Sequence, residues 1–414
     1  MSGNYISSDH SKFTVNRNLP NKYLSIRSNK SLMKKWSLIL CIFLSAKFGI
    51  AQHDGAGKNA PDFFPIAVWA QNPMYASAYK ENGINMFISI HGGLDQEKLD
   101  NLKKANMKVI AHQNAFGLTR LDEPLIYGWM HGDEPDNAQR NRTENKWDPC
   151  RDPADIIRDY EKIKKNDPNR PVYLNVGRGV AYTNWIGRGA CRGRTDMYMV
   201  NNNGYLKGCD IASFDIYPVN ADEKDVEGQL WYVAKGIDNL QEWSNNSKPA
   251  WCWIETTRIG EKAKRKPTPA EVKSQVWMAL IHGAKGFGYF CHSFVGKTDD
   301  AALLHDAEMM RAVKAINEEV TSLARVLNLE DAKEYATVSP ANAAVPVDIM
   351  AKKDGKTNYL FAVAMREGAT SATFEVKSGK SVEVIGEGRT IPIKKGKFTD
   401  EFSGYAVHLY RITK

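Results

Sequence analysis

Two short apolar runs in this chain each end in a glutamate. The first is Leu125–Asp136, LIYGWMHGDEPD, in which Leu125 to Met130 stops at Asp133-Glu134-Pro135. The second is Ala250–Thr256, AWCWIET, which delivers Glu255. An acid at the tip of a buried strand can be kept partly dry and so hold its proton more tightly. A second carboxylate that stays ionised can attack an electron-poor carbon or activate water. Asp-Glu-Pro alone is a weak signal, because a Glu-Pro after a strand is most often a surface turn. Asp133 and Asp136 read equally well as helix-capping acids. What gives the two glutamates weight is their place in the order of elements.

That order is strand, then helix, repeated from about residue 60 to 330. Strands are predicted at Phe64–Trp69, Ile84–Ile90, Met107–Ala111, Leu125–Met130, Pro171–Asn175, Ile211–Ile216, Ala250–Ile254 and Gly286–Tyr289. Helical spacing fills the gaps, as at Ile156, Ile157, Tyr160 and Ile163. Thr268-Pro269-Ala270-Glu271 has the form of a capping box and opens a helix to His282. A final helical region runs over Ala301–Leu327. Eight such units predict a (β/α)8 TIM barrel over 52–331. A doubly wound sheet would carry a Gly-rich phosphate loop after its first strand, and none is present. Residues 332–414 change character: short strand patterns separated by Gly and Asp/Lys turns, including Lys353-Asp354-Gly355-Lys356, predict a small C-terminal antiparallel β-domain. The connector Val176–Gly208, with Arg178, Trp185, Arg188, Arg192 and Arg194, is too long for an ordinary link and reads as a functional loop.

In such a barrel the site lies at the C-terminal ends of the strands. The residues arriving there are Trp69, His91, His112, Asp133, Glu134, Asn175, Asp215, Tyr217, Glu255 and His292. Glu134 and Glu255 belong to strands four and seven. On these residues the chain resembles the clan A glycoside hydrolases, over about residues 60–330. The resemblance implies retaining hydrolysis of O-glycosidic bonds in an oligo- or polysaccharide, with Glu134 as acid/base and Glu255 as nucleophile. It implies that Tyr217 is the aromatic that hydrogen-bonds the nucleophile, and that no metal or organic cofactor is used. One position departs from the clan: Asp133 stands where an Asn that contacts the sugar 2-hydroxyl is usual. His91, His112 and His292 are candidates for sugar hydroxyls, and Trp69, Trp185 and Trp253 for stacking on sugar rings. Trp129 and Trp251 fall within strands and read as wall packing. The loop arginines suit an acidic or sulfated sugar, or simply a solvated basic loop. Two other classes fit the same pattern: a non-catalytic carbohydrate-binding protein, and an inverting hydrolase or lyase.

The N-terminus bears on partners and compartment. Lys34-Lys35 precede the apolar run Trp36–Ile50, and Gly49 and Ala51 place small residues before Gln52. This predicts a secretory signal peptide cleaved after Ala51, and a secreted or periplasmic protein. Residues 1–51 hold eight Lys/Arg against one acid, so the formal +8 of the whole sequence falls to +1 for the mature chain. The basic balance is thus no argument for nucleic acid, nor for a membrane partner once the signal is removed. Of the five remaining cysteines, two of Cys150, Cys191 and Cys209 could pair, while Cys252 and Cys291 lie in core strands. No Cys/His spacing suggests zinc.

Overall fold

The computed structural model describes residues 61–413 apart from 139, 142, 186 and 189–194. The expected signal peptide, Cys191, Arg192 and Arg194 lie outside the described residues. Eight parallel strands close into a barrel: β1 (Ile66–Trp69), β2 (Met86–Ile88), β3 (Lys108–Ala111), β4 (Ile126–Met130), β5 (Val172–Val176), β6 (Ile211–Asp215), β7 (Ala250–Glu255) and β8 (Gly286–Phe290). Each falls within or across one of the predicted apolar runs. The fold is the expected TIM barrel with a C-terminal β-domain.

Strand periodicity sorts these residues into two shells. Outward residues such as Val68, Phe87, Trp129, Phe214 and Ile254 join the large core beneath the helices. Inward residues, among them Trp69, Ile88, Met130, Tyr173, Trp251 and Trp253, fill the barrel itself. Gly286 and Gly288 on β8 are what admit the two tryptophans of β7. A Cβ at these glycines would lie 2.5 Å and 2.1 Å from the Trp251 and Trp253 rings. The capping box at Thr268–Glu271 is formed and opens helix Pro269–Ile281.

Some elements were not foreseen. A two-residue-per-strand hairpin, Arg140–Asn141 with Lys146–Trp147, interrupts the connection after β4. The last helical region breaks into Ala302–His305, Ala307–Ser322 and Ala324–Leu327. It breaks at Asp306, whose side chain turns back to accept from Met309 N–H and caps a new helix. The 176–208 connector carries one-turn 3-10 segments at Arg178–Val180, Thr195–Met197, Val200–Asn202 and Tyr205–Gly208.

The C-terminal domain consists of a three-stranded sheet and a five-stranded sheet, both antiparallel. The turn at Gly355 joins Val347–Asp354 to Thr357–Ala364, with Gly355 at φ +58°. Strands Ala336–Pro340, Arg389–Pro392 and Lys397–Ser403 escaped sequence reading because no continuous apolar run marks them. In Lys397–Ser403 only Phe398, Asp400 and Phe402 face inward. This domain packs on helix Pro269–Ile281: the Trp277 and Phe361 rings lie 5.2 Å apart, and Ser274 Oγ donates to the Tyr405 carbonyl at 2.7 Å. Cys150 is disulfide-bonded, whereas Cys209, Cys252 and Cys291 are free and buried. No helix among the described residues is long and apolar enough to cross a membrane.

Candidate active site

The C-terminal mouth of the barrel holds an unusual concentration of acids. Glu134 sits just beyond β4 with φ +43°, a left-handed backbone that a non-glycine residue adopts only under constraint. The constraint is visible: Glu134 N–H donates to the Asn175 carbonyl at 3.1 Å, tying the strand tip to β5. Its Oε2 accepts from Asn137 Nδ2 at 2.8 Å and from Arg188 Nη2 at 3.1 Å. Ala70 and Ser89, just past β1 and β2, share the left-handed strain at φ +48° and +62°. Strain of this kind on one rim is what a built site shows more often than a structural end of the barrel does.

Gly177 lets two of the predicted residues meet. A Cβ there would come 3.0 Å from the Trp185 ring and 3.1 Å from Glu134 Oε1. Trp185, on the long connector, therefore lies beside the Glu134 carboxyl. The same connector brings Arg188 and, from behind, Tyr198, whose hydroxyl donates to Asp136 at 2.8 Å. Asp136 also accepts from Gly177 N–H at 2.8 Å, so its role is to hold this connector against the tip of β4. Burial, and then the Glu134 charge, push Asp136 up to about 7 against these two donors.

Asn175 and Asp133 form a chain across three strands. Ser213 Oγ on β6 donates to Asn175 Oδ1 at 2.8 Å, and Asn175 Nδ2 donates to Asp133 Oδ1 at 2.9 Å. Asn175 is buried and orients Asp133. Asp133 opens to solvent on one side, yet the protein packed around its carboxyl, followed by the Glu134 charge, pushes it up to about 7. Asp215, at the end of β6, lies within hydrogen-bond reach of Glu134 and is pushed well above the ordinary carboxylate range, first by burial and then by the Glu134 and Asp133 charges. Tyr217 faces Asp215, Asp133, Glu134 and Glu255 together, and its ring packs at 5.2 Å on Phe290.

Glu255 occupies a different setting. It is fully buried. Its Oε1 accepts from Val219 N–H at 2.8 Å, and its Oε2 from Asn220 N–H at 2.9 Å and Asn220 Nδ2 at 2.7 Å. Tyr217 makes no hydrogen bond to it; the donors come from two and three residues further along. Burial pushes Glu255 up to about 7 in spite of those donors.

The remaining candidates divide by place. Trp253 fills the barrel interior beneath the mouth, its ring 4.9 Å from Trp69 in an edge contact. Neither presents an open face. His292 is buried, with Nε2 3.1 Å from the Trp69 carbonyl oxygen and Nδ1 3.3 Å from Asp300. His91 is exposed and lines a cavity of about 300 Å³ with Lys98, Asp299 and His305, on the β1–β2 side of the rim. His112 is half-buried and held below its ordinary value by desolvation. Trp129 packs in the outer shell and donates to Asp167 at 2.8 Å. Sequence reasoning gave no role to Asp215, Asn137 or Asn220; Asp215 alone carried a signal, as an acid at a strand end. No group of three or more His, Cys, Asp or Glu among the described residues is placed to hold a metal ion.

No protein-family model matches the sequence, and no curated protein matches it. Solved structures of similar fold exist at very low identity. AmyP in complex with maltotriose superposes with a TM-score of 0.53 at 10% identity, covering 88% of this chain and 98% of its own. A catalytic mutant of a GH42 β-galactosidase from G. stearothermophilus superposes with a TM-score of 0.54 at 8% identity, covering 85% and 98%. A noncanonic maltogenic α-amylase, AmyB from Thermotoga neapolitana, gives 0.50 at 10%, covering 86% and 99%. These likenesses establish a shared fold.

Proposed function

We propose that the protein is a glycoside hydrolase acting on an oligo- or polysaccharide, with Glu134 as the proton donor to the departing oxygen. The observation that carries this is the Glu134 carboxyl itself, strained onto the barrel rim and surrounded by Asp133 and Asp215 beside Trp185. A proton donor must stand where the departing oxygen arrives, and in a barrel of this kind that is the C-terminal rim. The fold shared with AmyP and the GH42 β-galactosidase supports the same reaction class. We take the protein to be exported, on the leader pattern of its first 51 residues.

In the retaining form of the reaction Glu255 attacks the anomeric carbon while Glu134 protonates the leaving oxygen and then deprotonates water. That requires the carboxyls roughly 5–5.5 Å apart. It also requires the Val219–Asn220 loop to release one Glu255 oxygen, since all its bonds now go there. This closure favours a second reading, in which Glu255 braces the loop and the reaction inverts. The deciding experiment is a screen of the mature protein against plant and algal polysaccharides and aryl glycosides, neutral and sulfated, followed by NMR of the first anomer released. Retention supports Glu255 as nucleophile, and inversion removes it. Undiminished hydrolysis by Glu134→Gln would overturn the proposal as a whole.

A further inference from the structure

Asp215 has no part in that scheme, yet it touches the residue at its centre. Its Oδ1 is sealed from solvent, and no described residue donates a hydrogen bond to it. A buried carboxylate oxygen without a donor is costly. At the same time its carboxyl lies within hydrogen-bond reach of that of Glu134. Two carboxylates have only lone pairs to offer one another, and two bare anions in contact repel. A single proton between them removes both difficulties.

We propose that Glu134 and Asp215 share one proton, and that Asp215 is a positioning residue that stores this proton and hands it to Glu134. The catalytic part rests on Glu134 being the proton donor of the proposed function. In the resting pair the proton is on Asp215, and Glu134 is the anion, its Oε2 also taking Asn137 and Arg188. Transfer breaks the Asp215 O–H bond and forms the Glu134 O–H bond, moving the negative charge from Glu134 to Asp215. Protonation of the leaving oxygen then leaves both carboxylates ionised. The proton released by the attacking water returns to the pair and closes the cycle.

The charges facing the pair come from every side of the mouth. Asp133 and Asp136 approach from the β4 tip, and Tyr217 follows β6 with Glu255 beyond it. Against these stand Arg188, bonded to Glu134, and Arg178, which is itself paired with Glu223 at 2.9 Å. Among the described residues acids outnumber cations here, which favours a proton held by the pair near neutral pH.

Infrared spectroscopy of the whole protein reads the proton without any substrate. Near pH 7, wild type should show the carbonyl stretch of a protonated carboxyl that Asp215→Asn lacks. In Glu134→Gln the band should move, because its hydrogen-bond acceptor becomes an amide. Identical protonated-carboxyl intensity in wild type and Asp215→Asn overturns the shared proton. Circular dichroism checks that Asp215→Asn is folded; if it is not, Glu134→Gln decides, a shifted band supporting the proposal and an unmoved one overturning it. On a glycan cleaved by wild type, Asp215→Asn should lose about a hundredfold in kcat with little change in KM, and its pH profile should lose one ionisation. The asparagine still donates an N–H to Glu134, so a merely structural role would leave kcat near wild type, and that result overturns the relay. If wild type cleaves no glycan, the glycosidase reading fails while the infrared result stands on its own.

Discussion

Replacing Glu255 by glutamine separates two demands on one buried side chain. The carboxyl accepts three hydrogen bonds, one at Oε1 and two at Oε2. The amide can keep the two at Asn220 by turning its oxygen that way. Its NH2 group then meets the Val219 N–H, donor against donor, with no water to intervene. One lost hydrogen bond with a buried donor left unpaired costs about 2 kcal/mol. An opposing term depends on pH. Burial lifts Glu255 from its ordinary 4.5 to about 7. An acid whose folded value is raised is stabilised relative to the unfolded chain only while protonated. Wild type therefore loses stability as pH climbs from 4.5 through 7, by about 2 kcal/mol between pH 5 and pH 8 for this group. Glutamine does not titrate, and Asp133 and Asp136 change both proteins alike. Urea denaturation should find Glu255→Gln about 2 kcal/mol less stable than wild type near pH 5, and the two nearly equal near pH 8. An equal deficit at both values would refute the buried, proton-binding Glu255. The absence of a deficit near pH 5 would refute its anchoring of the loop. Turnover adds the functional half. A nucleophile leaves the variant inactive near pH 8 although its stability is recovered there, whereas hydrolysis under those conditions excludes Glu255 from bond breaking.

Three further outcomes are expected. Glu134→Gln should fold like wild type by near-ultraviolet circular dichroism and lose about two to four orders of magnitude in kcat on any glycan that wild type cleaves. Gly288→Ala forces a methyl against the Trp253 ring, 2.1 Å away where the Cβ is built, and should lower stability by about 3 kcal/mol in urea melts; a loss under about 1 kcal/mol would show that the barrel interior repacks freely. His282 clamps the β-domain to the barrel, with Nδ1 2.9 Å from Asp238 and Nε2 3.1 Å from Asp348. Burial alone would lower its value, but the bonds to these two carboxylates outweigh burial and push it up to about 9. This contribution is full below about 6.5 and is lost as pH rises through 9, and both aspartates are well exposed and screened. His282→Gln should therefore be less stable than wild type by about 1 kcal/mol near pH 6 and equal to it near pH 10, as thermal melts at the two values would register.

The barrel was legible because its strands are buried on both faces and so read as continuous apolar runs. The same property made Glu134 and Glu255 conspicuous, as acids where an apolar run stops. Strands Arg389–Pro392 and Lys397–Ser403 were not legible, since only alternate residues turn inward, half-buried in the first and buried in the second, and their charged positions look like loop. Asp306 broke the last helical region at a point where apolar spacing continued unbroken, a case of side-chain capping overriding periodicity.

Within the site, what could be read was the end of each strand, and what could not was which way each acid turns and who donates to it. Glu134 and Glu255 look alike in sequence, one acid after one strand. Their settings diverge because of residues supplied by connectors. The connector after β5 brings Arg188 to Glu134 and rests Trp185 over Gly177. The connector after β6 turns three donors onto Glu255 and closes over it. Neither arrangement has a period or a motif, because each depends on a distant loop reaching the rim. Asp215 is the sharpest instance. In Phe214-Asp215-Ile216 the sequence shows an acid at a strand end and no partner for it. Its meaning comes from β4, where the strained backbone of Glu134 places a second carboxyl against it. A pair of acids in contact is a property of two strands at once, and the proton between them follows from that contact, since two carboxylates cannot satisfy each other without it.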